Sequence, residues 1–157
     1  MPVKNLIPRT KITALSNRLR RSGQRIVFTN GVFDILHRGH VEYLSKARSF
    51  GDVLILGLNS DASVRRIKGP TRPLQKQTDR AVILLALESV DYVVIFGEDT
   101  PDKLIGQIKP DVLVKGADYK ISEIVGADFV RSYGGRVRRV RLTRGRSTSG
   151  LVKRVVR

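Results

Sequence analysis

The sequence predicts one doubly wound α/β domain: a Rossmann-like, parallel, five-stranded sheet with helices on both faces. Three observations predict it. Short, wholly apolar runs alternate along the chain with segments of helical periodicity. The segments between successive apolar runs are long enough for helical crossovers, which parallel strands require. Finally, 157 residues with 41% hydrophobic content suit a single buried core.

Taken in order, Ile12, Leu15 and Leu19 share a face of a helix over 10–22, which Gly23 ends. A first strand follows at 25–29. A helix opening near Gly39 carries Val41, Leu44 and Ala47 at helical spacing and stops at Gly51. The apolar run 53–58 fits a strand buried on both faces. Lys68-Gly69-Pro70-Thr71-Arg72-Pro73 is rich in turn residues and reads as an irregular loop before a helix at 76–89. The alternation then repeats, with strands at 92–96, 112–115 and 136–142 separated by helices at 101–108 and 127–133. A helix at 148–156 comes last. The last strand mixes arginines with Val137, Val140 and Leu142, as suits an exposed edge where charge discourages pairing between molecules.

Composition narrows the chemistry. With no cysteine, disulfides, thiolate zinc sites and cysteine nucleophiles are excluded, and two histidines weigh against a structural zinc site. The apolar runs are too short to span a bilayer and the opening residues lack a secretory layout, so a soluble cytoplasmic chain without a membrane partner is expected. Thirty Lys and Arg against fourteen Asp and Glu give +16, a field that attracts nucleotides, sugar phosphates, nucleic acid or anionic lipid alike. The excess is uneven. Beyond Asp128 there is no acidic residue, while basic residues from Arg131 to Arg157 crowd the tail, which fits a solvated face as well as a binding one.

In doubly wound sheets, ligands sit beyond the carboxyl ends of the strands, where strand order reverses. The loop after the first strand reads Thr29-Asn30-Gly31-Val32-Phe33-Asp34-Ile35-Leu36-His37-Arg38-Gly39-His40 and opens directly into a helix. Unpaired N–H groups and the positive end of the dipole make a helix start an anion site, and Gly39 lets a phosphate approach the backbone. Both histidines of the chain lie here, three residues apart, so their imidazoles are placed to converge on one phosphate, which would favour their protonated forms. Neither the Gly-x-Gly-x-x-Gly of dinucleotide binders nor a P-loop occurs.

Thr29-Asn30-Gly31-x-Phe33-Asp34-x-x-His37-x-Gly39-His40 resembles the signature of the cytidylyltransferase-like nucleotidyltransferases. The similarity continues through Asn59-Ser60-Asp61-Ala62-Ser63, Lys68-Gly69, Arg72-Pro73, Arg80, Glu98-Asp99-Thr100-Pro101, Asp111 to Tyr119 and Gly145-Arg146-Ser147-Thr148-Ser149. Within that superfamily it is similar to the heptose 1-phosphate adenylyltransferases. The resemblance implies transfer of AMP from ATP, or CMP from CTP, to a sugar phosphate, with Mg²⁺ accompanying the nucleotide and few ligands for the ion from the protein. It assigns catalytic roles to His37, His40, Lys68 and Arg80, with Lys68 on the Gly-Pro loop and Arg80 opening a helix. Asn30, Gly31, Phe33, Gly39, Lys115, Gly116, Gly145, Ser147 and Thr148 would bind nucleotide, and Asp34, Asp61, Asp118 and Tyr119 the sugar phosphate. It also implies a homodimer and one nucleotidyltransferase domain over 1–157, with 1–23 as a helical extension and 24–157 as the catalytic core. One departure concerns Leu142, which stands where the family often carries an arginine; Arg141 or Arg144 is expected to substitute. Two alternatives stand beside this expectation: a cytidylyltransferase for glycerol 3-phosphate or another polyol phosphate, and a nucleic-acid-binding module on a degenerate core. Against the second, aromatics make up only 6% of the chain, giving few stacking platforms for bases.

Overall fold

The computed structural model describes residues 3–143, 145 and 147–156. Twelve main elements follow in order: α1 (Ile12–Arg21), β1 (Ile26–Gly31), α2 (Arg38–Arg48), β2 (Val53–Asn59), α3 (Asp61–Lys68), α4 (Gln77–Leu85), β3 (Tyr92–Phe96), α5 (Asp102–Ile108), β4 (Val112–Gly116), α6 (Ala127–Ser132), β5 (Arg136–Val140) and α7 (Thr148–Val155). The strands form one sheet in the order β3-β2-β1-β4-β5, every pair parallel.

Alternation along β1 divides the core. Ile26 and Phe28 point to a layer filled by Ile12, Leu15 and Leu19 of α1, Leu104 and Ile105 of α5 and Val130 of α6. Val27 points to the other layer, with Leu44 and Ala47 of α2 and Ala81 and Leu84 of α4. Period-two side chains on a central strand thus feed two helix layers at once. Residues 5–7 also lie against β3, where Ile7 N–H donates to Val93 O at 2.8 Å and Val93 N–H to Asn5 O at 3.1 Å. With Ile12, Leu15 and Leu19 buried, α1 shares the sheet's own core.

Aspartates hold the amino ends of the strands. Asp111 Oδ2 accepts Ile26 N–H, and Asp91 Oδ2 accepts both Leu54 N–H and Arg48 Nε, each at 2.7–2.8 Å.

Helix α3 lies where the sequence reading set no element. Ser60 caps it, accepting Ser63 N–H at 3.2 Å, and its only large buried side chain is Val64, so a helical apolar stripe is too thin to read. Lys68 consequently ends a helix instead of sitting on the following loop, and Gly69, at φ 102°, stops it. The first strand runs on through Gly31, because Asn30 and Gly31 continue the ladder against Gly57 and Leu58. The fourth helix ends at Leu85 and the last strand at Val140, both shorter than expected. Among the described residues, no helix is long and apolar enough to cross a membrane.

Candidate active site

The strand order reverses between β1 and β4, and a cleft of about 510 Å³ opens at the carboxyl ends of the strands. Asn30, Gly31, Phe33, Asp34, His40, Lys68, Lys115, Gly116, Asp118, Tyr119 and Thr148 all line it, so most of the expected site residues meet in one place.

The two imidazoles are together. His37 is the N-cap of α2, in extended conformation, and His40 sits at its third position. Their rings stack at 3.8 Å between centroids with planes 20° apart, and His37 N–H donates to His40 Nδ1 at 3.4 Å. His40 faces the main cleft, whereas His37 borders a smaller pocket of about 50 Å³ with Gly145, Ser147, Gly150, Leu151 and Arg154. Burial, and then the charges of His37 and Lys68, push the pKa of His40 down to about 4. In the ligand-free protein His40 is accordingly neutral at neutral pH, and an arriving phosphate is what would restore its charge.

Phe33 shapes this cradle. It holds φ at 46°, a left-handed conformation that a bulky residue rarely adopts, and its ring meets His40 edge-on at 5.2 Å. A Cβ on Gly31 would lie 2.8 Å from that ring, so glycine is what lets Phe33 reach the histidine. Gly39 is buried in the first turn of α2, behind the cleft.

Three expected ligand contacts are occupied by the protein itself. Asp34, 2% exposed, accepts Leu74 N–H and Gln75 N–H at 2.8–2.9 Å and pairs with Arg72 Nε at 2.8 Å. Burial raises its pKa, but these donors outweigh it and hold the carboxyl below its usual range. Asp34 therefore lines the cleft as the anchor of the 72–75 loop, not as an open sugar-phosphate contact. Arg80 lies inside the fourth helix, not at its opening, with a fully buried side chain that donates to Gln75 O (3.1 Å), Val32 O (2.7 Å) and Asp61 Oδ1 (2.8 Å). That brace accounts for both Arg80 and Asp61, neither of which lines the cleft, because α4 turns the arginine inward under the β1 loop.

On the opposite wall, the Lys115 ammonium lies 5.6 Å from the Tyr119 ring centroid. Burial lowers its pKa to about 8, against the opposing pull of Asp118. Thr148 Oγ1 donates to Ile35 O at 3.0 Å, tying the start of α7 to the histidine loop, and Ser147 caps α7 by accepting Gly150 N–H at 3.0 Å. Leu142 lines the cleft and Arg141 is exposed beside it; Arg144, Arg146 and Arg157 lie outside the described residues.

Sequence reading missed Tyr43, Asn59, Thr100 and Glu123 as lining residues. Tyr43 shares a buried network with Thr29 Oγ1 (2.8 Å) and Val114 O (3.2 Å) that ties α2 to β1 and β4. Asn59 carried a usable signal: a polar residue ending an otherwise apolar buried strand stands at the ligand end of the sheet.

A parallel sheet with a helix start at its switch point defines a doubly wound α/β protein whose ligands bind beyond the carboxyl ends of the strands. The sequence model of the cytidylyltransferase-like family matches residues 28–145, and the chain belongs to that family. It is 58% identical over 137 residues to the bifunctional protein HldE of Syntrophotalea carbinolica, covering 87% of this chain and 28% of that one. To the bifunctional protein HldE of Geobacter metallireducens it is 61% identical over 135 residues, 86% of this chain and 28% of the relative. The chain thus spans under a third of the length of these curated relatives. Among solved structures, the lipopolysaccharide core biosynthesis protein from Thermoplasma volcanium GSS1 superposes with a TM-score of 0.61 at 31% identity, over 77% of this chain and 98% of that one. Pantoate-beta-alanine ligase from Francisella tularensis shares the fold at a TM-score of 0.61 and 20% identity, over 92% of this chain and 69% of that one.

Proposed function

We propose that this chain is an adenylyltransferase domain that moves AMP from ATP to a sugar 1-phosphate, with heptose 1-phosphate the favoured acceptor, releasing pyrophosphate and giving an ADP-sugar. The stacked His37–His40 pair at the mouth of α2, with His40 facing the cleft and His37 the small pocket beside α7, is the observation that carries it. The identity to HldE proteins and the solved lipopolysaccharide core biosynthesis protein support the choice of acceptor.

In this reading an oxygen of the acceptor phosphate bonds to the α-phosphorus, and the bond from that phosphorus to the bridging oxygen of pyrophosphate breaks, the electron pair leaving with pyrophosphate. The attacking oxygen is already ionised near neutral pH, so no general base is needed. Catalysis then consists of positioning and stabilising spreading negative charge. His40 and Lys68 face that charge across the cleft, His37 with Ser147 and the N–H groups at the start of α7 holds the far phosphates, and Lys115 supplies a cation from β4. The cleft's carboxylates are scattered, and Asp34 is already bonded to Arg72, so this donor set fits a Mg²⁺ that arrives held mainly by phosphate oxygens. Such an ion, when bound with the nucleotide, would supply neutralisation of the phosphate charge. We place the enzyme in the cytoplasm, as a homodimer that light scattering would reveal.

The test is pyrophosphate release from ATP and CTP against heptose 1-phosphate, other sugar 1-phosphates and glycerol 3-phosphate. Turnover with ATP and heptose 1-phosphate is expected. Turnover only with CTP and glycerol 3-phosphate would move the assignment to a cytidylyltransferase. No turnover with any pair, joined to tight salt-dependent binding of DNA or RNA, would favour a binding module instead.

A further inference from the structure

The cleft is chemically two-sided. Its α2 and α3 side presents His40 and the Lys68 ammonium, with Lys115 across the floor, whereas the ends of β1 and β2 and the turn after β3 contribute Asn30, Asn59 and Thr100. Each of these three offers an acceptor to the cleft. Asn30 Oδ1 is buried and receives no hydrogen bond among the described residues. Asn59 is 5% exposed and its amide is oriented by a relay: Nδ2 donates to Ser63 Oγ at 3.2 Å, and the Ser63 hydroxyl donates to Ser60 O at 3.1 Å. Because the serine spends its one proton on Ser60, it can only accept from Asn59, which turns the amide nitrogen toward α3 and leaves the oxygen as the group for the cleft. Thr100 likewise gives its proton to Asp102 Oδ2 at 3.0 Å and keeps only lone pairs.

A buried acceptor such as Asn30 Oδ1 is costly to leave unpaired, and a wall offering acceptors repels phosphate oxygens, which have no proton to give at neutral pH. It is completed by a partner rich in O–H donors. Resting on the transfer reaction above, we propose that Asn59, with Asn30 and Thr100, forms a hydroxyl-reading subsite for the body of the acceptor sugar, while the cationic side takes the phosphates. The subsite makes the enzyme selective for a polyhydroxylated acceptor over a small or deoxygenated one, and Asn59 is its main determinant because its orientation is locked from behind.

The experiment measures initial rates for wild type, Asn59→Ala and Thr100→Val with heptose 1-phosphate and with deoxy analogues of that sugar. Asn59→Ala is expected to raise KM for heptose 1-phosphate by roughly tenfold to a hundredfold, because a site built around a substrate hydroxyl discriminates strongly against its loss. KM for ATP should stay within about twofold of wild type, since the triphosphate contacts lie on the other side. Wild type should prefer the intact sugar over one particular deoxy analogue, and Asn59→Ala should erase that preference. Thr100→Val, at an exposed position that tolerates substitution, should show a smaller shift of the same kind and supplies the reading if Asn59→Ala does not fold. A rise in KM for ATP in place of the acceptor, or an unchanged preference among analogues in the variants, overturns the subsite and leaves the transfer reaction standing. Absence of transfer to every sugar phosphate by wild type overturns both.

Discussion

Strands β1 and β5 both end at the cleft, yet they are built differently. In β1, Ile26, Val27, Phe28 and Thr29 are all fully buried, and the strand is paired on both sides. In β5, Arg136, Arg138 and Arg139 are exposed at the sheet edge, and α7 beyond it has no buried residue. The histidine cradle therefore stands on a buried strand paired on both sides. The wall carrying Ser147 and Thr148 hangs from an edge, joined through Thr148 to Ile35 O and through Thr143 to Glu42. Preorganised charge stabilisation needs fixed donors, whereas substrate exchange draws on elements with few buried contacts. The contrast teaches which of the two walls should carry rate and which should carry adaptability.

The sharpest way to break that contrast is His40→Ala. Turnover should fall by about a hundredfold to a thousandfold, as for loss of one preorganised donor, while circular dichroism stays native. Ser147→Ala on the edge-supported wall should cost clearly less, and equal losses would erase the distinction. Gly31→Ala probes the packing that aims the cradle. Its new Cβ would lie 2.8 Å from the Phe33 ring, forcing that ring off His40, and kcat should fall on the order of tenfold to a hundredfold from misplacement of the imidazole.

Stability should follow the same geography. Asp34→Ala strips the acceptor from Leu74 N–H, Gln75 N–H and Arg72, and should lower unfolding free energy by about 3 kcal/mol in urea titration, since it leaves a largely buried cation unpaired. Val155→Lys on α7, where the residue is 85% exposed, should change it by less than about 0.5 kcal/mol. Between these lies a pH effect. His40 has its folded pKa pushed below the ordinary 6.5 to about 4, so its contribution to stability is fully present above 6.5 and is lost as pH falls through 4. A bound triphosphate pulls that pKa upward, so binding near pH 6 should take up a proton and tighten as pH falls from 7.5. Calorimetry of a non-hydrolysable ATP analogue in buffers of different ionisation enthalpy measures the uptake. His40→Gln should abolish it, and equal uptake by the variant would remove His40 from the phosphate site.

Sequence alone determined the succession of strands and helices, the buried character of β1 and β2, and the meeting of a glycine, two histidines and a helix start at one loop. These follow from periodicity and short-range geometry, which neighbouring residues decide among themselves. The α-helix α3, which it did not disclose, rests on a serine cap and a single large buried side chain, Val64, and so leaves almost no periodic trace. Only the tertiary structure decided the fate of the polar side chains. Arg80 and Asp61 meet across 19 residues and Asp34 meets Arg72 across 38, and in each case the pairing turned an expected ligand contact into a brace. The same folding brought Asn59 to the cleft floor with its amide already oriented by Ser63. The physical reason is that a side chain's environment depends on elements distant in sequence, so a buried polar group's partner becomes known only once the sheet has brought those elements together.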